Sequence, residues 1–199
     1  ADNIIISARI SGKQSEEEGI SLFVVDPKLE GVSLRNYPTV DGRRASEITL
    51  ESVDVTSSCL LAEEGKGFKE LEKVIDSATL AICAEAIGAM EVLYKTTVEY
   101  TKIRKQFGQA IGKFQVLQHR MVDMFMEYEQ SKSLLYMATI KQAEKAEDSK
   151  KAISGLKYQV GKAAKFIGQQ AVQLHGGMGV TDELNVGHFF KRLTTIITI

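Results

Sequence analysis

The sequence predicts an α+β fold: a partial antiparallel β domain over residues 1–66, followed by an up-down four-helix bundle over 67–199. Three observations carry this. Up to about residue 61 the apolar residues fall in short runs rich in β-branched and aromatic side chains, separated by turn-formers. The stretch "AEEGKGF" then marks a break in composition. After it, apolar residues recur at helical rather than alternating spacing.

The strands come first. "NIIISARI", "ISLFVVD", "VSLRNYP" and "SEITLESVDV" are bounded by "SGKQSEEEG", "DPKLEG" and "TVDGRR". In the last run Ile48, Leu50, Val53 and Val55 alternate, with a change of face between Leu50 and Val53 that predicts a bulge or bend. So few strands make a marginal sheet alone, which points to missing partners upstream. The chain opens inside a strand and stops at "TTIITI" without a turn, so both ends read as cut.

The first helix is predicted from Phe68 to about Lys102. It is apolar on nearly every side between Ala78 and Tyr94, the pattern of a central buried helix. A second runs from about Phe114 to Glu144, its apolar face set by Phe114, Leu117, Met121, Met124, Phe125 and Tyr128. The third, about Lys150 to Leu174, carries the stripe Ile153, Leu156, Val160, Ala163, Ala164, Ile167, Ala171 and Leu174. Gly161 and Gly168, one heptad apart, would let a neighbouring helix approach closely. Thr181 is the predicted N-cap of a short fourth helix containing "ELNVGHFFKRL".

Composition narrows the function classes. Lys+Arg total 25 against 26 Asp+Glu, a net charge of -1, so no general basic field exists for nucleic acid. Cys59 and Cys83 lie in no CxxC or Cys/His pattern, which argues against a disulfide framework or a metal site and for a reducing, cytoplasmic setting. No apolar run reaches the roughly 18–20 residues of a membrane span. "TLAICAEAIGAM" comes nearest and is interrupted by Glu85. The N-terminal residues have neither the charged region nor the cleavage pattern of a signal peptide.

Two stretches carry candidate chemistry. "QLHGGMGVTDE" (173–183) follows a helix and lacks the third glycine of a dinucleotide fingerprint, Asp182 standing there instead. Its plain reading is a helix C-cap with glycines in left-handed conformations. Bare glycine backbone also admits a ligand, and consecutive N–H groups can meet a phosphate, so both readings stand. In "TKIRKQFGQAIGKFQVLQHRMVDM", Arg104 and Lys105 suit the C-terminal end of a helix dipole. Phe107-Gly108 and the amides Gln106, Gln109, Gln115 and Gln118 add the partners of an anion bearing a planar ring. His119, His175 and His188 are scattered and read as structural or surface residues. The methionines of the second helix, among them Met121, Met124, Met126 and Met137, read as adaptable core packing. "KQAEKAEDSKK" reads as a solvated helix end.

Taken together, "RKQFGQAIGKFQVLQHRMVDM" and, about fifty residues on, "AVQLHGGMGVTDELNVGHFFKRL" resemble the C-terminal half of an acyl-CoA dehydrogenase. "GISLFVVDPKLEGVSLRNYPTVDGRRASEITLESVDV" resembles the last strands of that family's middle β domain, and "LLAEEGKGF" the start of its helical domain. "AICAEAIGAM" and "HFFKRLT" are most similar to the small-subunit type of pimeloyl- or dicarboxylyl-CoA dehydrogenases. The resemblance implies a flavoprotein of fatty acid metabolism that oxidises an acyl-CoA at its α and β carbons. A carboxylate base takes the α proton, FAD takes the β hydride, and an electron-transfer flavoprotein accepts the electrons. It implies FAD at a subunit interface of a homo- or hetero-oligomer, dimer or tetramer. Arg104, Gln106 and Phe107, with Gln115 nearby, would meet the adenine and pyrophosphate of a neighbour's FAD, and Gln173, Gly176 and Gly177 the same cofactor.

The catalytic residue is unknown. The family's usual glutamate position, counted from Arg192, falls on Thr198, and its alternative position on Ala78, with Thr79 where an arginine is common. Glu85 lies about two turns from Ala78 in a setting that reads as buried. The departures leave open an active dehydrogenase, a base-lacking partner subunit of a hetero-oligomer, an acyl-CoA oxidase, or a helical interaction module.

Overall fold

The structure is a computed structural model that describes residues 2–199; Ala1, first residue of the predicted β domain, lies outside the described residues. The backbone forms two compact units, one reaching Ile75 and one from Asp76 to Ile199.

In the first unit, β1 (Ile4–Arg9) pairs antiparallel with β2 (Ile20–Val25), from Ile4 opposite Val25 to Arg9 opposite Ile20. The intervening loop is held by the Arg9 guanidinium, which donates to the carbonyls of Ser11 (3.2 Å), Gln14 (3.3 Å) and Glu18 (2.9 Å). β3 (Val32–Pro38) and β4 (Arg44–Leu50) form a second antiparallel pair. Of the predicted bulge or bend after Leu50, the bend forms: β4 ends at Leu50, and the chain bends at Glu51 and Ser52, which keeps Leu50 on the same cavity wall as Val53 and Val55. Ser52 turns with φ 51°, and Val53 and Val55 then line an apolar cavity of about 180 Å³ with Ile6, Phe23 and Val25. The segment leading to the helices is tied to β2: Leu61 N–H donates to Leu22 O at 2.9 Å and Gly65 N–H to Ser21 Oγ at 2.8 Å.

The four helices are α1 (Gly67–Ile103), α2 (Gln115–Ala143), α3 (Ser149–His175) and α4 (Asn185–Thr198), with a two-strand hairpin, β5 (Lys105–Gln106) and β6 (Gln109–Ala110), between α1 and α2. Every residue of the predicted α3 stripe is buried. Around it the core of the second unit gathers Met90 and Leu93 of α1, Met124 and Tyr128 of α2, and Leu193 and Ile196 of α4. The fold is therefore α+β, as predicted.

Four expectations are corrected. α1 is not buried all round: Ala78, Ala81, Ala84 and Gly88 are exposed, because its core residues lie on one side (Leu80, Cys83, Ile87, Met90). By length and composition it is nevertheless the one helix among the described residues apolar enough to cross a membrane; its core-facing side packs in the bundle. The methionines of α2 are not uniformly core: Met124 is fully buried, whereas Met126 and Met137 are exposed. Only Gly168 serves a close approach, since a Cβ there would lie 3.0 Å from the Phe190 ring, while Gly161 faces open space. Thr181 does not cap α4. The N-cap is Leu184 without a side-chain bond, and the Thr181 hydroxyl instead donates to Met178 O at 2.9 Å, closing the preceding turn.

Polar contacts fix α4 against the bundle. Arg192 grips Glu85 of α1 through Nε and an Nη, at 2.7 and 2.8 Å. Lys157 of α3 donates to Ile196 O at 3.0 Å, a cation at a helix C-terminus. Cys83 is buried, and that burial pushes its thiol up to about 11, against the opposing charge of Lys157.

Candidate functional site

α1 does not stop cleanly at Ile103. Arg104 N–H still reaches Tyr100 O at 2.9 Å, and the chain then reverses through β5 and β6, closed by Ile111 N–H on Arg104 O at 2.9 Å. At the tip of this hairpin Phe107 has φ 54° and Gly108 φ 77°. Left-handed backbone is costly for a bulky side chain. The Phe107 ring gains little in return within this chain: it is 90% exposed, edge-on to Phe114 with centroids 6.1 Å apart.

The glycine corner forms at the end of α3, and its glycines have different tasks. Gly176 takes φ 62°, ψ -141°, a region open in practice only to glycine. Gly177 has ordinary φ and faces open space, where an added Cβ would find no atom within 4 Å. Gly179 is buried, and a Cβ there would lie 2.7 Å from Val172 O. One glycine turns the chain, one leaves an approach open, and one lets the corner fold back onto α3.

The hairpin and the corner meet around a cavity of about 390 Å³, on whose wall stand Arg104, Gln106, Gln173, Gly176 and Gly177. Phe107 and Gln115 are not on that wall: the first sits at the exposed hairpin tip and the second is the exposed first residue of α2. Arg104 is the one side chain on the wall with a permanent positive charge. The helix ends that line this cavity are the C-termini of α1 and α3, whose carbonyl ends disfavour an anion. An anion would depend on the Arg104 fork and on the amides, with the bare glycines admitting it to the backbone. This donor set fits a pyrophosphate with an attached ring.

The wall also holds two residues that sequence reasoning missed, Tyr100 and His175. Their rings stack at 4.2 Å and 29°, and the Tyr100 hydroxyl reaches His175 O at 3.4 Å. His175 is buried at 4% exposure, unlike the exposed His119 and His188, and so is no surface residue. Its Nδ1 lies 2.8 Å from Ala171 O, which fixes the proton there. Nε2 is left buried with no hydrogen-bond partner among the described residues. The available signal was Tyr100 one helical turn before Arg104, on the same face.

Burial pushes the His175 pKa below the usual imidazole value, with the bond to Ala171 pulling the other way. The unfolded chain therefore binds a proton first as pH falls. Stability is intact above the unfolded value of about 6.5 and declines as pH drops from there through the folded pKa. His175→Phe should flatten the fall in melting temperature between pH 7.5 and 5.5. Parallel curves for the two proteins would refute this.

No position carried over for a base holds an available carboxylate. Ala78 is exposed and apolar, and the Thr198 hydroxyl donates to Thr195 O at 2.8 Å. Glu85 is exposed rather than buried, and Arg192 occupies both its oxygens.

Comparison with known proteins gives the chain a family. Residues 65–197 match the family model described as acyl-CoA dehydrogenase, C-terminal domain. The chain is 32% identical over 193 residues to the caffeyl-CoA reductase-Etf complex subunit CarC of Acetobacterium woodii, covering 96% of this chain and 50% of that protein. It is similar to the butyryl-CoA dehydrogenase structure from Megasphaera elsdenii, with TM-score 0.87 and 28% identity over 98% of this chain and 51% of that one. The structure of PigA with FAD and proline gives TM-score 0.90 at 28% identity, over 98% and 51%. The chain spans about half the length of the curated relatives it matches.

Proposed function

The chain belongs to the acyl-CoA dehydrogenase family, and from that premise we propose that it is part of an FAD-dependent enzyme carrying out α,β-dehydrogenation of acyl-CoA thioesters. Residues 1–66 are then the end of a middle β domain and 67–199 the C-terminal helical domain. The observation that carries this reading is the convergence of Arg104, Gln106, Gln173, Gly176 and Gly177 on one cavity wall.

When bound, FAD supplies the two-electron redox chemistry. This chain's residues hold and orient it. Arg104 presents a planar fork to the pyrophosphate, and Gln106 and Gln173 offer amide donors and acceptors. Gly176 and Gly177 leave the backbone open to the ligand. Phe107 and Gln115, away from the wall, would meet the adenine end of the same FAD, held by a neighbouring subunit, which would make an oligomer part of the site. The FAD of PigA supports the cofactor, and the Etf complex of the A. woodii relative supports an electron-transfer flavoprotein as redox partner. The unpaired thiols suit a reducing, cytoplasmic compartment.

A second reading is favoured by the base positions. With Ala78, Thr198 and an Arg192-bound Glu85, the chain fits a subunit without its own base, paired with a catalytic one as in the small-subunit type of pimeloyl- or dicarboxylyl-CoA dehydrogenases. Both readings are tested on the full-length protein, alone and co-purified with the product of the adjacent gene. Flavin content and acyl-CoA-dependent bleaching are measured. Bleaching alone supports the self-sufficient enzyme and bleaching only in the mixture supports the paired subunit. Absence of flavin from every sample overturns the proposal.

A further inference from the structure

We propose that Tyr100 and His175 are positioning residues that register the two halves of the cofactor clamp against each other. The inference rests on the cofactor reading above. Arg104 lies one turn beyond Tyr100 and is bonded to it through Arg104 N–H and Tyr100 O, at 2.9 Å. Gly176 follows His175 directly in the chain. The Tyr100–His175 stack, at 4.2 Å, therefore joins the two segments within one helical turn of the guanidinium and one residue of the glycine corner.

Three contacts hold His175, two of them on its imidazole. Nδ1–H donates to Ala171 O, the ring lies against Tyr100, and the backbone carbonyl accepts the Tyr100 hydroxyl. The arrangement carries a cost, because Nε2 is stranded without a partner. A buried acceptor left unpaired is unfavourable, and an apolar ring of similar shape would avoid it. What the imidazole adds over such a ring is the Nδ1–H bond, which sets the plane of the ring and so the face offered to Tyr100. Neighbouring glycines provide no such restraint: Gly176 and Gly177 face open space and carry no side chain to hold the corner at a fixed distance from Arg104. A pyrophosphate gripped on both sides needs that distance held.

The test is FAD affinity in the full-length protein, measured by flavin fluorescence titration, with thermal unfolding of each variant recorded alongside. Tyr100→Leu and His175→Leu should each weaken FAD binding about tenfold, the scale of one aromatic pair. The double variant should be no weaker than either single, since both remove the same link. Tyr100→Phe, which keeps the stack, should recover most of the affinity. Losses that multiply in the double variant, or affinities unchanged in both singles, overturn the inference. If Tyr100→Leu does not fold, Tyr100→Phe against His175→Leu decides: equal weakening in the two would overturn the stack as the link. Arg104→Ala separates the two levels of argument. Wild-type affinity there refutes the cofactor reading itself, whereas loss there with intact affinity in the leucine variants refutes the positioning role alone.

Discussion

Replacing Gly179 with valine is expected to lower the stability of the helical unit by about 2–3 kcal/mol, the usual cost of forcing atoms into filled space. The added Cβ would sit 2.7 Å from Val172 O and 3.1 Å from both Val172 Cα and His175 Cβ. Two of these three are backbone atoms of α3, which cannot swing aside as a flexible side chain can. The corner must move instead, and with it Met178 O, which anchors the Thr181 hydroxyl. The melting temperature should fall by about 5–10 °C. Gly177→Ala is the matched control. It adds the Cβ alone, the first of valine's three carbons, at a place with nothing within 4 Å, and should stay within about 0.5 kcal/mol of the parent protein. A Gly179→Val protein melting with the parent would mean that the fold-back onto α3 is looser than 2.7 Å implies.

Arg104→Ala is the functional counterpart. Arg104 is exposed and bears no core packing, so its loss should leave the melting curve in place. Flavin affinity should drop about 10- to 100-fold, the equivalent of about 1.5–3 kcal/mol for a hydrogen-bonded charge. The effect belongs at the upper end of that range. Arg104 is the wall's permanent cation, and the carbonyl ends of α1 and α3 nearby repel an anion once it is gone. Arg104→Lys keeps the charge without the fork and should fall between the two. Raising salt should weaken binding in the parent more than in the alanine protein. Flavin retained at parental affinity would refute the role.

The α3 stripe is legible in the sequence because its apolar residues fill one face and its polar residues the other, so the pattern admits one orientation. α1 misleads for the opposite reason. Its alanines and glycine are compatible with either burial or exposure, and composition cannot show that its core contacts lie on one side. The cap of α4 is ambiguous because a threonine near a helix start can accept from the helix or donate backwards, and Met178 O takes the hydroxyl. For the site, the arginine–aromatic–glycine run and the glycine cluster are visible as patterns because both break helices. The division of labour among Gly176, Gly177 and Gly179 is not visible, since three identical residues differ only in their surroundings. His175 escapes notice because an isolated histidine carries no spacing signal, and its partner Tyr100 lies 75 residues earlier.

Phe107 carries a further consequence. A ring that is 90% in water on left-handed backbone adds to the folding of its own chain only its edge contact with Phe114 and subtracts the strain of its φ of 54°. Selection of this domain for heat resistance would therefore tend to replace it with glycine, which relaxes the hairpin at the loss of one edge contact to Phe114. On the proposed reading of the site, the value of this residue lies in the cofactor of a neighbouring subunit rather than in its own chain. Thermostability gained at position 107 would then measure what that proposed role costs this chain.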